Sequence, residues 1–103
     1  MQFKDILYNV EGDYAHVTID RPKVLNAFTP VTLQELKSAL DIAEKDKNVG
    51  VIVLSGSGDR AFCAGGDMNW ESSEEFQDHE YEFHIHLTKC SKPIIAKVDG
   101  YAI

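Results

Sequence analysis

No stretch of this sequence approaches the ~20 consecutive apolar residues that a membrane-spanning helix needs, and the opening Met1-Gln2-Phe3-Lys4-Asp5 lacks the apolar core of a secretion signal. No membrane partner is expected, and cytoplasmic residence is. Cations are scarce: ten Lys and Arg stand against seventeen Asp and Glu in 103 residues, a formal net charge of −7. That balance argues against a nucleic-acid partner, because phosphate backbones are held by Lys and Arg. Cysteine is limited to Cys63 and Cys90, too few for a disulfide framework and without the spacing of a zinc site, so both are read as free thiols and no metal is expected. Internal repeats, low-complexity tracts and linkers are absent too. With 44% hydrophobic and 26% charged residues, what remains is the composition of one soluble globular domain at most.

The chain does have well-punctuated periodicity. Ile6 to Val10 and Tyr14 to Asp20 flank Glu11-Gly12-Asp13, and Ala15, Val17 and Ile19 alternate with His16, Thr18 and Asp20, which predicts a half-buried hairpin. Thr29 before Pro30 is an N-cap with proline at the first helical position, and Leu33, Leu36, Leu40 and Ala43 recur at helical spacing as far as Lys45. Val49 to Leu54 reads as a buried strand broken by Gly56 and Gly58. A second helix is predicted over Ser72 to Cys90, with Phe76, Phe83, Leu87 and Cys90 on one face, and Ile94 to Val98 reads as a buried last strand. The order strand, strand, helix, strand, loop, helix, strand gives an α/β fold class. Periodicity alone allows a doubly wound sheet as well as ββα turns.

Chemical meaning concentrates in Asp59-Arg60-Ala61-Phe62-Cys63-Ala64-Gly65-Gly66-Asp67. Gly65 and Gly66 carry no Cβ, so a ligand can approach the main chain and positive φ angles are free of steric penalty. Backbone N–H groups left bare at such a turn can hold an oxyanion, and Asp67 can begin a helix. On its own the segment reads equally well as an ordinary glycine turn. Cys63 has no His or carboxylate in a recognisable pairing pattern, so packing is preferred over a nucleophilic role. His79, His84 and His86 do not suit a metal: on a helix, residues two apart diverge by about 200°, and residues seven apart stand about 10 Å apart along the axis.

Taken with Asp20-Arg21-Pro22-Lys23-Val24-Leu25-Asn26-Ala27-Phe28 upstream and Lys92-Pro93-Ile94-Ile95-Ala96-Lys97-Val98-Asp99-Gly100-Tyr101-Ala102-Ile103 downstream, the loop completes an ordered set of three motifs. The set resembles the enoyl-CoA hydratase/isomerase, or crotonase, family over essentially the whole chain. The Phe-Cys-Ala-Gly-Gly-Asp loop and the Gly-Tyr-Ala-Ile ending look most like its dihydroxynaphthoyl-CoA synthase and ketocyclohexanecarboxyl-CoA hydrolase subgroup, from which Leu25 and Met68 depart.

The resemblance implies a crotonase-like ββα spiral that binds acyl-CoA thioesters and stabilises an enolate at the thioester carbonyl with two backbone N–H groups. Gly66 would supply the first. Lys23, Val24, Leu25 and Ala27 would line the path of the CoA moiety, with Ala64, Gly65, Asp67 and Met68 near its adenine and pantetheine, and Tyr101 completes the set of binding residues. Coenzyme A enters as part of the substrate, and no separate cofactor is implied. Arg21 and Lys23 are the cations available to its phosphates, with a solvated loop the preferred reading of Arg21. Trp70, Phe76 and Tyr81 are candidates for substrate contact, packing being the preferred role of each. A homotrimer or hexamer is implied as well. The family's second donor lies in a glycine run after Gly-Tyr-Ala-Ile, and its acid/base side chains lie later. Residues 1–103 are therefore expected to form the N-terminal part of a single domain, with the rest of the parent polypeptide as partner and no catalysis alone.

Two readings of other classes stand beside this one. Leu54-Ser55-Gly56-Ser57-Gly58-Asp59-Arg60-Ala61 fits a dinucleotide fingerprint, which requires a helix to start at the glycines. The other is a non-catalytic fragment that keeps only the assembly surfaces of an oligomeric parent.

Overall fold

Alternation along the second strand becomes burial in the computed structural model, which describes residues 3–63, 65–67 and 73–102, with the backbone alone at Tyr101. Ala15, Val17 and Ile19 are each at most 1% exposed. They belong to β2 (Tyr14–Ile19), which pairs antiparallel with β1 (Ile6–Glu11), Ile6 opposite Ile19. A 3₁₀ turn at Pro22–Val24 leads to α1 (Pro30–Lys45). Then come β3 (Val51–Gly56), β4 (Ala61–Cys63), α2 (Glu74–Lys89), β5 (Ile94–Ala96) and β6 (Tyr101–Ala102).

The order is strand-strand-helix, strand-strand-helix, strand-strand. β3 and β5 join the hairpin in a four-stranded sheet ordered β1-β2-β3-β5, parallel from β2 onward, while β4 and β6 form a separate parallel pair. The first pair lies wholly in the larger sheet, and each of the next two pairs adds one strand to each sheet. Leu33, Leu36 and Leu40 of α1 and Phe76 and Phe83 of α2 meet Val17, Ile19 and Ile52 in one core. The apolar stripe predicted for α1 is buried, and of that predicted for the second helix Phe76 and Phe83 are buried while Leu87 and Cys90 are partly so. Among the described residues no helix is long and apolar enough to cross a membrane.

Several boundaries differ from expectation. β3 begins at Val51, because Val49 N–H closes a turn on Asp46 O and Gly50 N–H bonds Asp13 O. It also runs through Gly56, which pairs with Ile19 in place of breaking the strand. The predicted loop contains β4, a three-residue strand too short to show periodicity. α2 starts at Glu74 behind Ser73, whose side chain accepts Phe76 N–H, and residues 68–72 lie outside the described set. The last strand is shorter than Ile94 to Val98 and is not buried. Among the described strands β5 pairs only with β3, leaving Ile95 54% and Val98 50% exposed.

Side chains fasten the ends of α1. Thr29 and Thr32 cap each other reciprocally, and both hydroxyls donate to Asp5 Oδ2, at 3.2 and 2.7 Å. Glu35 accepts the N–H groups of Lys4 and Asp5, each at 2.6 Å. At the other end Lys92 Nζ donates to Ala43 O (2.7 Å) and Asp46 O (2.6 Å), a cation on helix C-terminal carbonyls. Glu44 accepts from Cys90 Sγ (2.9 Å), Ser91 N–H (3.2 Å) and Ser91 Oγ.

Those bonds, the Cys90 and Ser91 side chains first, hold the Glu44 carboxyl below its ordinary value of 4.5. A lowered folded-state value means stability that is present above the unfolded value and lost as pH falls through the folded one. Urea-unfolding midpoints of the wild type should therefore fall from about pH 4.5 downward. Glu44→Gln should be less stable at pH 7 and lose less on acidification. Parallel acid profiles for the two proteins would contradict this role.

Candidate functional site

The turn after β2 is locked by one buried amide. Leu25 and Asn26 both have left-handed backbones, φ 55° and 58°, a conformation in which Asn is several-fold enriched and leucine uncommon. Asn26 is 1% exposed. Its Oδ1 accepts Arg21 N–H at 2.9 Å, and its Nδ2 donates to Ser57 O at 3.0 Å and Ala61 O at 2.7 Å. The loop after β2 and the loop before β4 are thus one hydrogen-bonded unit.

Directly beyond Asn26 the chain meets the glycine loop. Phe28 N–H donates to Gly65 O at 2.8 Å and Asp67 N–H donates to Phe28 O at 2.6 Å, a parallel bridge with Gly66 at its centre. In such a bridge the flanking residues supply the bonds, so the central residue's own N–H and C=O point away from the partner strand. Among the described residues nothing accepts the Gly66 N–H. Gly65 has φ 88°, the left-handed conformation that makes glycine necessary there, and its N–H donates to Cys63 Sγ at 3.2 Å. A fixed turn therefore presents one main-chain donor that no described residue engages. Phe28 also lines an apolar recess of about 310 Å³ with Leu54, Phe62, Cys63 and Phe83.

Arg21 is not the solvated side chain expected. Its Nη1 donates to Ala27 O at 2.5 Å and stands 3.4 Å from Asp67 Oδ2, with side-chain exposures of 22% and 14%. Of the other residues named for binding, Lys23 and Val24 are exposed on the 3₁₀ turn, Leu25 is half-buried and Ala27 is buried. Gly65, Gly66 and Asp67 lie together opposite Phe28, and the Tyr101 backbone pairs with Ala61. Ala64, Met68 and Trp70 fall outside the described residues.

Cys63 is 4% exposed and its thiol is pushed up by burial, which suits packing and not nucleophilic attack. Phe76 is buried in the core, whereas Tyr81 is 68% exposed. Among the described residues no cluster of His, Cys, Asp and Glu could hold a metal ion. After Gly56-Ser57-Gly58 the chain enters β4, so no helix begins at the glycines as a dinucleotide fingerprint requires. Sequence reasoning missed the clasp made by Asn26, whose only local signal was an Asn in the turn after Pro22.

Known proteins share this fold. The enoyl-CoA hydratase/isomerase family model matches residues 10–103. An enoyl-CoA hydratase/isomerase from Xanthobacter autotrophicus Py2 superposes with a TM-score of 0.87 at 28% identity, over 96% of this chain and 40% of its own. One from Mycobacterium paratuberculosis gives 0.80 at 31% identity, covering 96% and 42%. An enoyl-CoA hydratase/carnithine racemase from Magnetospirillum magneticum gives 0.83 at 25% identity, covering 96% and 40%. The chain therefore spans about two fifths of the length of these structures.

Proposed function

The chain belongs to the enoyl-CoA hydratase/isomerase family, and from that premise we propose that it forms the acyl-CoA-binding, enolate-stabilising part of an enzyme with hydratase/isomerase-type chemistry. The observation that carries this reading is the Gly66 N–H, turned out of its bridge with Phe28 and accepted by no described residue. A thioester carbonyl oxygen takes that bond. When a base removes the proton on the adjacent carbon, negative charge gathers on the same oxygen and the donor holds it more tightly than it held the neutral carbonyl. Lys23, Val24 and Leu25 are assigned to CoA binding, together with Ala27, Ala64, Gly65, Asp67, Met68 and Tyr101. Of the two cations proposed for the phosphates, Lys23 is the exposed one. The second donor and the acid/base groups are assigned to the remainder of the parent polypeptide, and a cytoplasmic homotrimer or hexamer goes with this reading.

A ring-closing synthase or ring-cleaving hydrolase is the second reading, favoured by the Phe62-Cys63-Ala64-Gly65-Gly66-Asp67 form of the loop. Both readings use the same enolate and the same donor.

Thermal unfolding of the full-length gene product with butyryl-CoA, with NAD and with neither separates the classes. A ligand at 100 times its Kd adds about 2.7 kcal/mol to the native state, so butyryl-CoA should raise Tm by several degrees and NAD should leave it unchanged. Protection by NAD alone would favour a dinucleotide module. Protection by neither would favour a fragment that keeps only assembly surfaces.

A further inference from the structure

Arg21 sits where one side chain touches both sides of the Phe28–Gly66 bridge. Its Nη1 donates to the carbonyl of Ala27, the residue before Phe28, and pairs with the carboxylate of Asp67, the residue after Gly66. Its own main chain is fixed as well: Arg21 N–H bonds Asn26 Oδ1 at 2.9 Å, while Arg21 O accepts Asn26 N–H at 2.8 Å and Val24 N–H at 3.1 Å. Arg21 is therefore held at its base by the Asn26 clasp, and its Nη1 reaches two groups that flank the Gly66 donor. The Arg21 side chain is only 22% exposed, whereas Lys23 two residues on is the exposed cation.

We propose that Arg21 is a positioning residue for the reaction, clamping Ala27 and Asp67 so that the Gly66 N–H keeps a fixed direction toward the developing oxyanion. The proposal rests on the function proposed above, and its physical basis is independent of which acyl group is bound. An oxyanion donor is effective only while it is preorganised, because a donor that must reorient during the reaction forfeits that advantage. Two hydrogen bonds alone, Phe28 N–H to Gly65 O and Asp67 N–H to Phe28 O, join the described glycine loop to Phe28. The Arg21–Asp67 pair ties the loop to the same turn segment through a third, side-chain path. Charge makes that path hard to replace with a neutral side chain, and an ammonium keeps the charge without the fixed donor directions of a planar guanidinium.

The test uses the full-length gene product as wild type, Arg21→Gln, Arg21→Lys and Asp67→Asn, with two readouts. Amide hydrogen exchange at Phe28 and Asp67 reports the bridge directly, with Ile52 in the core as the fold control. Arg21→Gln and Asp67→Asn should each lower protection at Phe28 and Asp67 by about tenfold or more while Ile52 keeps its own. Steady-state kinetics on butyryl or crotonyl thioesters of CoA should show kcat down about 10- to 100-fold with KM within about threefold, since a misplaced group costs rate more than ground-state binding. Arg21→Lys should recover part of the loss. Unchanged exchange at Phe28 and Asp67 in both neutral variants would overturn the clamp. So would a rise in KM at constant kcat, which would make Arg21 a CoA ligand. If the wild type turned over no acyl-CoA, the functional reading would fail, and the exchange measurement alone would decide whether the clamp exists.

Discussion

Gly66→Pro in the full-length enzyme should lower kcat by about 10²–10³, the loss of roughly 2.7–4 kcal/mol that accompanies removal of one oxyanion donor. Proline carries no N–H, and the Gly66 N–H is bonded to no described residue, so the substitution removes a donor and no internal hydrogen bond among them. The bridge to Phe28 survives in principle, because it is made by Gly65 O and Asp67 N–H. Proline also restricts the residue before it, and Gly65 with its φ of 88° is the least restricted choice for that position. Gly66→Ala is the control. It keeps the N–H, so its kcat should exceed that of the proline variant by an order of magnitude or more. Because the bond strengthens only as charge develops, kcat and kcat/KM should fall together for proline. Normal turnover by a folded Gly66→Pro enzyme, shown by unaltered exchange protection at Ile52, would remove Gly66 from the mechanism.

What could be read from the sequence follows the range of the interactions involved. α1 was legible to the residue because its signals are local: Thr29 and Pro30 set the start, and Leu33, Leu36, Leu40 and Ala43 set the buried face. The hairpin was legible because alternation at Ala15, Val17 and Ile19 has period two. β4 and β6 were not, since strands of three and two residues carry no period and exist only by pairing with each other across about forty residues. Gly56 was misread as a strand breaker for a related reason. Its lack of a side chain serves a contact with Phe62 and Asn26, which sequence proximity does not announce. The motifs at Arg21–Phe28 and Phe62–Asp67 were visible as separate signals. That one hydrogen-bonded bridge joins them, with Arg21 spanning it, is a property of the fold and falsified the expectation of a solvated arginine. The family model matches residues 10–103, the span in which those motifs stand in order.

Asn26→Ala should cost about 3–5 kcal/mol of stability, a large share of the 5–15 kcal/mol typical of a native domain. Three hydrogen bonds disappear at once, and the groups left behind are main-chain ones: Arg21 N–H, Ser57 O and Ala61 O. Each buried polar group left unpaired costs roughly 1–3 kcal/mol, and alanine at φ 58° adds backbone strain of about 1 kcal/mol that asparagine largely avoids. Asn26→Asp should be no better, because it keeps the acceptor but sets a carboxylate against two carbonyl oxygens. Gly56→Ala attacks the same joint from the other side. A Cβ there would overlap Phe62 O and lie 2.7 Å from Asn26 Nδ2 and 3.0 Å from Ala61 O, so it must displace the very amide that alanine at position 26 removes. The two changes should therefore be strongly non-additive in urea unfolding, the double variant losing at least 1 kcal/mol less than the sum of the singles. A loss below about 1 kcal/mol for Asn26→Ala, or strict additivity with Gly56→Ala, would mean that the loops are joined by something other than this amide.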